Sequence, residues 1–339
     1  MNNSKVICIG EALVDRLGTP GGNPALDKDF DDLLGGAPAN VACGLSKLGV
    51  DVAFLGSLGN DSIGKEFCDL FTSLGINISG IQLNDELPTR IVLVHRDIKG
   101  ERSFGGFVGG PNNSFADQKL NLQKIKSIWP SLSKGASWVL LGTIPFASES
   151  SRQAVTWVLE NARKNNLNIA IDLNWRPTFW DSSLDPDSPP NFETCSFLKP
   201  FLEQASLLKL AKEEALWFFN NDNPIDIAES LSNRPSVIVT DGAQPIRWLL
   251  GAFSGETKAI SSPTSVVDTT GAGDSFTAGI IAQLSTHSFY PRNKLEAEKI
   301  IRFAAACGAL VCRGKGAIDP QPSSSDVEKL LASLEEDMI

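Results

Sequence analysis

The sequence predicts an α/β protein in which a mainly parallel sheet lies between helix layers and carries a small β lid. Three observations predict this. Short β-branched runs alternate with amphipathic segments from end to end, the pattern of successive βαβ units. At 339 residues, 42 % of them hydrophobic, the chain is long enough for one large α/β domain with an extra lobe. Two stretches, finally, break the alternation, one a Gly/Pro-rich loop with an acidic run and the other a pair of strands, and together they imply a small β lobe made from two separated pieces.

In chain order, the apolar runs at 6–9, 52–55, 138–141, 169–173, 207–210 and 237–240 predict strands. Between them, helices are predicted over 38–48, ending at Gly49, and over 62–74, with Asp61 as N-cap and Gly75 as terminator. A third, over 149–164, follows Ser148. The first interruption, residues 11–35, combines Gly18, Pro20, Gly21, Gly22 and Pro24 with an acidic run. The second, 88–110, reads as strands 91–96 and 101–108 turning at Lys99 and Gly100. The expected division is a core of residues 1–10, 36–87 and 111–339 and a lid of 11–35 and 88–110, placed to close over a site on the sheet edge. Residues 181–190 are a surface loop by composition.

Composition narrows the chemistry. The formal charge is −10, with 30 Lys+Arg against 40 Asp+Glu, and no basic run is dense enough to track a nucleic acid. No stretch reaches about 18 consecutive apolar residues and the N-terminus lacks a secretory pattern, so neither a membrane nor export is expected. Six scattered cysteines without a CxxC spacing point to reduced thiols in a cytoplasmic protein. With His95 and His287 as the two histidines, a zinc site or serine–histidine relay is poorly supplied, and a carboxylate is the expected general base.

The segment DTTGAGDSFTAG, residues 268–279, is the most informative. Phe276, Ile280 and Leu284 recur at helical spacing, so a helix starts near Gly273. Small residues ahead of it leave amides pointing outward, and the helix dipole favours an anion there. Asp274 is then either an N-terminal helix charge or a base that takes the proton of an attacking hydroxyl beside that anion hole. No Walker A motif is present, and no GxGxxG follows the first strand.

DTTGAGDSFTAG resembles the second signature of the ribokinase-like (PfkB) carbohydrate kinases. GGAPANVACGLSKLG followed by LGSLGNDSIGKEF, from Gly35 onward, resembles the first. The resemblance runs from Ile7 to about Pro322 and implies a three-layer α/β/α core with a β lid. It implies Asp274 as catalytic base, Gly271, Ala272 and Gly273 as the anion hole, and ATP with Mg²⁺ as phosphoryl donor. Asp15, Gly35, Gly36 and Asn40 fall at sugar positions, and a carboxylate suits two adjacent hydroxyls. Arg102 lies in a segment resembling the GER element of fructokinases. Asn174 and Arg176 lie in a DxNxRxxxW stretch after a central strand, where ligands bind in open α/β sheets.

Towards the nucleotide, Lys209 and Glu214 sit where the family carries an Asn-x-x-Glu element governing Mg²⁺, with Ala211 replacing the Asn. Thr240, Gly242 and Ala243 resemble a phosphate-binding turn. Ala305 and Gly308, on a small-residue helix, and Gly316 are implied for the nucleotide pocket. Asp268 and Thr270, with Val311, Gly314 and Gly316, match positions that bind K⁺ in many relatives. The most similar subgroup is the fructokinases, through GGAPAN, GER, DxNxR and Phe115-Ala116-Asp117, whereas residues 105–113 (GGFVGGPNN) depart from its pattern. The implied reaction is ATP + D-fructose to ADP + fructose 6-phosphate. The alternatives are another acceptor (ribose, 2-keto-3-deoxygluconate, adenosine) and a non-catalytic sensor. A homodimer through lid strands is expected because an exposed strand edge tends to be paired or covered.

Overall fold

The computed structural model describes residues 5–97, 102–110, 114–262, 264–286 and 290–336. Side-chain alternation organises it. Strand β1 (Lys5–Ile9) sends Val6 and Cys8 into one buried layer and Ile7 and Ile9 into the other, the period-2 pattern of a strand covered on both faces.

The remaining strands are β2 (Leu13–Pro20), β3 (Phe30–Gly35), β4 (Val52–Gly59), β5 (Asn77–Asn84), β6 (Ile91–Arg96), β7 (Arg102–Phe107), β8 (Ala136–Leu141), β9 (Asn168–Asp172), β10 (Leu207–Ala211), β11 (Ser236–Thr240), β12 (Ile246–Leu250) and β13 (Phe253–Thr257). Nine form the main sheet in the order β13-β12-β11-β10-β9-β8-β1-β4-β5. It is parallel from β11 to β5, and β12 and β13 add an antiparallel edge. The six runs read as strands from the sequence all lie in this sheet. One boundary moves: Leu173 leaves β9, because the chain turns at Asn174 with φ 44°.

The helices are α1 (Ala37–Lys47), α2 (Ser62–Ser73), α3 (Leu122–Leu132), α4 (Glu149–Lys164), α5 (Pro177–Trp180), α6 (Phe192–Leu202), α7 (Lys212–Phe219), α8 (Pro224–Glu229), α9 (Ala272–Thr286), α10 (Lys294–Val311) and α11 (Ser324–Glu336). α1, α2, α9 and α10 cover one face of the sheet, and α3, α4, α6, α7 and α8 the other. Asp61 caps α2 by accepting from the Gly64 amide at 2.8 Å, as the sequence predicts. Among the described residues, no helix is long and apolar enough to cross a membrane. All six cysteines are free thiols.

A second sheet, β3-β2-β6-β7, is built from two separated pieces of chain. The turn expected at Lys99 and Gly100 lies outside the described residues. This sheet is pinned to the core just before β6. Arg90 donates to both oxygens of Asp117, Nε at 2.8 Å and Nη2 at 2.9 Å, and both side chains are about 5 % exposed or less. The guanidinium lies 4.8, 4.3 and 4.6 Å from the ring centroids of Phe107, Phe115 and Phe179, so β7, the Ala116–Gln118 turn and α5 all converge on one cation. Removing one partner of a buried pair strands the other charge. Asp117→Asn is expected to lower unfolding free energy by about 3–5 kcal/mol, measured by urea denaturation with tryptophan fluorescence.

Candidate active site

The turn into α9 admits little besides glycine at Gly271. Its φ is 77°, and an added Cβ would lie 2.5 Å from the Ala317 Cβ. The Gly271 carbonyl accepts the Ser275 amide at 2.8 Å and starts the helical ladder. The Gly271 and Gly273 amides are not used within the protein among the described residues, whereas Ala272 donates to the Thr269 carbonyl at 3.2 Å. Two of the three anion-hole amides read from the sequence therefore stand open at the helix N-terminus.

Asp274 is the third residue of α9. Asn40 of α1 donates Nδ2 to its Oδ2 at 2.7 Å. Gly36 makes that approach possible: it precedes α1 with φ 99°, and a Cβ there would lie 2.7 Å from the Glu11 carbonyl. Burial, reinforced by the nearby Asp172 charge, pushes the Asp274 carboxyl up to about 6, while the Asn40 hydrogen bond, Lys209 and Arg176 pull the other way.

The parallel register of β9 and β10 pairs Asp172 with Lys209, and Lys209 Nζ lies 3.1 and 3.2 Å from the two Asp172 oxygens. Burial works against that ammonium, yet Asp172, Glu214 and Asp274 together raise its pKa and hold it charged. The Thr277 hydroxyl, one turn beyond Asp274, sits 2.8 Å from Asp172 Oδ2 and 3.0 Å from the Gly273 carbonyl. Glu214 is buried and accepts the Trp175 amide on one oxygen and the Ala211 amide on the other, each at 2.7 Å. The second bond is the returning half of a capping box at the start of α7. Burial raises the Glu214 carboxyl.

Two cavities meet at this turn. One, of about 580 Å³, is lined by Asp15, Gly36, Asn40, Asn174, Arg176, Lys209 and residues 269–274, with Val92, Val94, Ser103 and Phe104 contributed by the lid sheet. The other, of about 480 Å³ and mainly apolar, is lined by Thr240, Gly242, Ala243, Ile246, Ile260, Phe276, Ala305 and Gly308. Thr269, Ala272 and Gly273 belong to both walls. Sequence positions separated by most of the chain thus converge on two adjacent cavities, with Asp274 on the wall of the first.

Several expected residues lie elsewhere. Gly35 ends β3 behind Asp15; the backbone of Arg102 opens β7 opposite Arg96, and its side chain lies outside the described part. Glu214 and Gly316 are on neither wall. Lys209 lines the first cavity rather than the second. Residues 105–110 line a separate cavity on the lid, and residues 111–113 are outside the described part.

Gly316 belongs instead to a knot around Asp268. Asp268 Oδ1 accepts the Thr270 amide at 3.0 Å and hydroxyl at 2.7 Å, and Oδ2 accepts the Gly316 amide at 2.9 Å. The Val311 carbonyl faces the Gly314 amide at 3.4 Å. The Asp268 carboxylate and the Thr270 hydroxyl are hard oxygen donors of the kind that suit an alkali cation, and here they are engaged with each other and with the Gly316 amide. For a divalent ion, no cluster of three acidic or Cys/His side chains exists among the described residues. Asp172 and Glu214 are committed to the bonds above. This donor set fits a Mg²⁺ held mainly by phosphate oxygens and water, the usual habit of that ion.

Sequence reasoning overlooked Glu11, a buried acid on the wall of the first cavity, and the Asp172–Thr277 link. Glu11 follows a glycine at the end of β1, a sheet-edge position that signals ligand contact; the Asp172–Thr277 contact bridges two motifs and has no local signal.

A family model described as pfkB family carbohydrate kinase matches residues 3–324. A fructokinase of Salmonella typhimurium is 30% identical over 337 residues, covering 96% of this chain and 99% of that protein. Among solved structures, a fructokinase from Xylella fastidiosa with bound ATP superposes with a TM-score of 0.83 at 27% identity, covering 98% of this chain and 99% of that one. A fructokinase double mutant from Vibrio cholerae O395, with fructose, ADP and a potassium ion bound, gives 0.79 at 26% identity, covering 97% and 99%.

Burial of Asp274 has a stability cost with a definite sign. Its folded pKa, about 6, lies above the ordinary 3.8, so the folded state holds the proton more tightly and loses stability as pH rises from about 4 to above 6, by up to about 3 kcal/mol. Asp274→Asn is free of that loss. Its melting temperature relative to the unsubstituted protein is expected to climb between pH 4 and pH 7, measured by scanning fluorimetry across that range.

Proposed function

The chain belongs to the pfkB family of carbohydrate kinases and is therefore a sugar phosphotransferase, and we propose that it phosphorylates D-fructose from ATP to give fructose 6-phosphate and ADP. The observation that carries the mechanism is the junction of the two cavities at residues 269–274. The lid-covered cavity takes the sugar, with Asp15, Asn40 and Asn174 meeting its hydroxyls. The apolar cavity takes the nucleotide, with its base between Ile246, Ile260 and the small residues Ala305 and Gly308, and its phosphates reaching the turn. Fructose is supported by the fructokinases among the relatives and by the position of residues 105–110 away from the sugar wall.

In the transfer, the sugar hydroxyl oxygen forms a bond to the γ-phosphorus as the bond to the β,γ-bridging oxygen breaks, and the hydroxyl proton passes to Asp274. The open Gly271 and Gly273 amides, the positive end of α9, Arg176 and Lys209 stabilise the charge on the moving phosphoryl group. Asn40 orients the base, and its bond favours the ionised form that accepts a proton. Mg²⁺ bound to the triphosphate would neutralise oxygens of the β- and γ-phosphates, and K⁺ in the Asp268, Thr270 and Gly316 knot would lie directly before the anion-hole turn. Glu214 would reach the metal only through water.

ADP release across fructose, ribose, glucose, adenosine and 2-keto-3-deoxygluconate, with Mg²⁺ present and K⁺ varied, tests the assignment; strong preference for fructose is expected, and preference for another acceptor would replace it. Asp274→Asn is expected to lower turnover by about 10²–10⁴-fold with the fold intact by circular dichroism. Because the ionised carboxylate is the base, the rate should fall as pH drops through a midpoint near 6, the value to which burial raises Asp274, read from kcat/KM for fructose between pH 5 and 8.

A further inference from the structure

Glu11 is used by none of the steps above, and it is buried in the wall they use. It follows β1, is 2 % exposed and lines the sugar cavity. The backbone amides of Glu11 itself and of Ala37, at the start of α1, favour its ionised form against the effect of burial. Oε2 has no hydrogen-bond partner within the described protein. A buried oxygen left in that condition destabilises the fold, and native proteins keep such atoms where a ligand or water completes them. The side-chain oxygen of Asn40, on the same wall, is likewise without a donor. Unmatched acceptors thus stand on either side of the α1 N-terminus, next to the base.

We propose that Glu11 is a specificity residue of the acceptor site: its carboxyl, buried in the wall of this cavity, meets a sugar hydroxyl through Oε2 and fixes the ring so that another hydroxyl faces Asp274. The ligand it selects is a polyhydroxylated sugar with a hydroxyl at that end of the cavity. Burial, with the nearby Asp117 and Asp274 charges, pushes the Glu11 carboxyl up to about 8, which suits a group that both donates to and accepts from a hydroxyl. The inference rests on the reading of this cavity as the sugar site.

Steady-state kinetics of Glu11→Ala and Glu11→Asp test it with fructose and its 1-, 3- and 4-deoxy analogues. For Glu11→Ala the fructose KM is expected to rise about 10–100-fold while the KM for ATP stays within about twofold. Discrimination against one deoxy analogue is expected to vanish, because the hydroxyl removed from the sugar is the one the variant no longer meets. Glu11→Asp, which keeps a carboxyl at the start of α1 but shortens its reach, should move in the same direction by a smaller factor and covers the case in which Glu11→Ala fails to fold. An unchanged fructose KM, an equal rise in both substrates' KM, or an unaltered deoxy pattern would overturn the role. Failure of the unsubstituted protein to turn over fructose while phosphorylating another acceptor would instead overturn the fructose reading, and the same KM comparison on that acceptor would then decide the place of Glu11.

Discussion

The proposed base must be buried to exclude water and ionised to accept a proton, and these two requirements make contradictory demands on its surroundings. At Asp274 the contradiction is met by one short bond from Asn40 and by two nearby cations, Lys209 and Arg176, with Asp172 acting against them. Each helper depends on a different part of the fold. Asn40 needs the Gly36 turn into α1; Lys209 needs the register of β9 and β10; Arg176 needs the chain to turn sharply at Asn174 after the strand ends. Loss of any one removes an interaction that favours the ionised carboxylate. The sheet, in this sense, is a frame for holding four charged groups around one small space.

Coupling between layers follows from the same frame. Asp172 is shared between Lys209 on the neighbouring strand and Thr277 on α9, and Thr277 also touches the Gly273 carbonyl. The strand ends and the anion-hole turn are therefore tied through a single side chain. The Arg90–Asp117 pair plays a comparable part for the lid sheet, joining its root to the Ala116–Gln118 turn, while Phe179 from α5 lines both the aromatic cage and the sugar cavity. Pairing and the surrounding rings hold this cation in place, so the root of the lid sheet is fixed to the core.

Strands β1, β4 and β8 to β11 were legible because covered strands require β-branched and aliphatic runs, and the α9 turn was legible because its glycines and acid occupy consecutive positions. β5, with the sequence NISGIQLN, was not, since Asn77 and the Ser79-Gly80 pair dilute its apolar pattern and its pairing with β4 supplies what propensity does not. The β12–β13 hairpin was missed for a related reason: it is an antiparallel edge, and half-buried edges tolerate Arg247 and Glu256 opposite one another. Within the site, residues in sequence motifs were found and residues defined by contact were not. Lys209 was placed towards the nucleotide from its neighbours in sequence, yet its strand register turns it to Asp172. Glu11 escaped because an acid beside a strand end reads as solvated until burial is known.

The hydrogen bond between Asn40 and Asp274 spans 234 positions of chain. During synthesis the sugar-side helix emerges long before the helix that carries the base, and loop closure of that length is slow to be rewarded by contacts. A partly made chain therefore holds acceptor-binding residues without a proton acceptor or an anion hole. The pairing of Asn40 with Asp274 therefore waits until α9, made late in synthesis, packs on α1, made early.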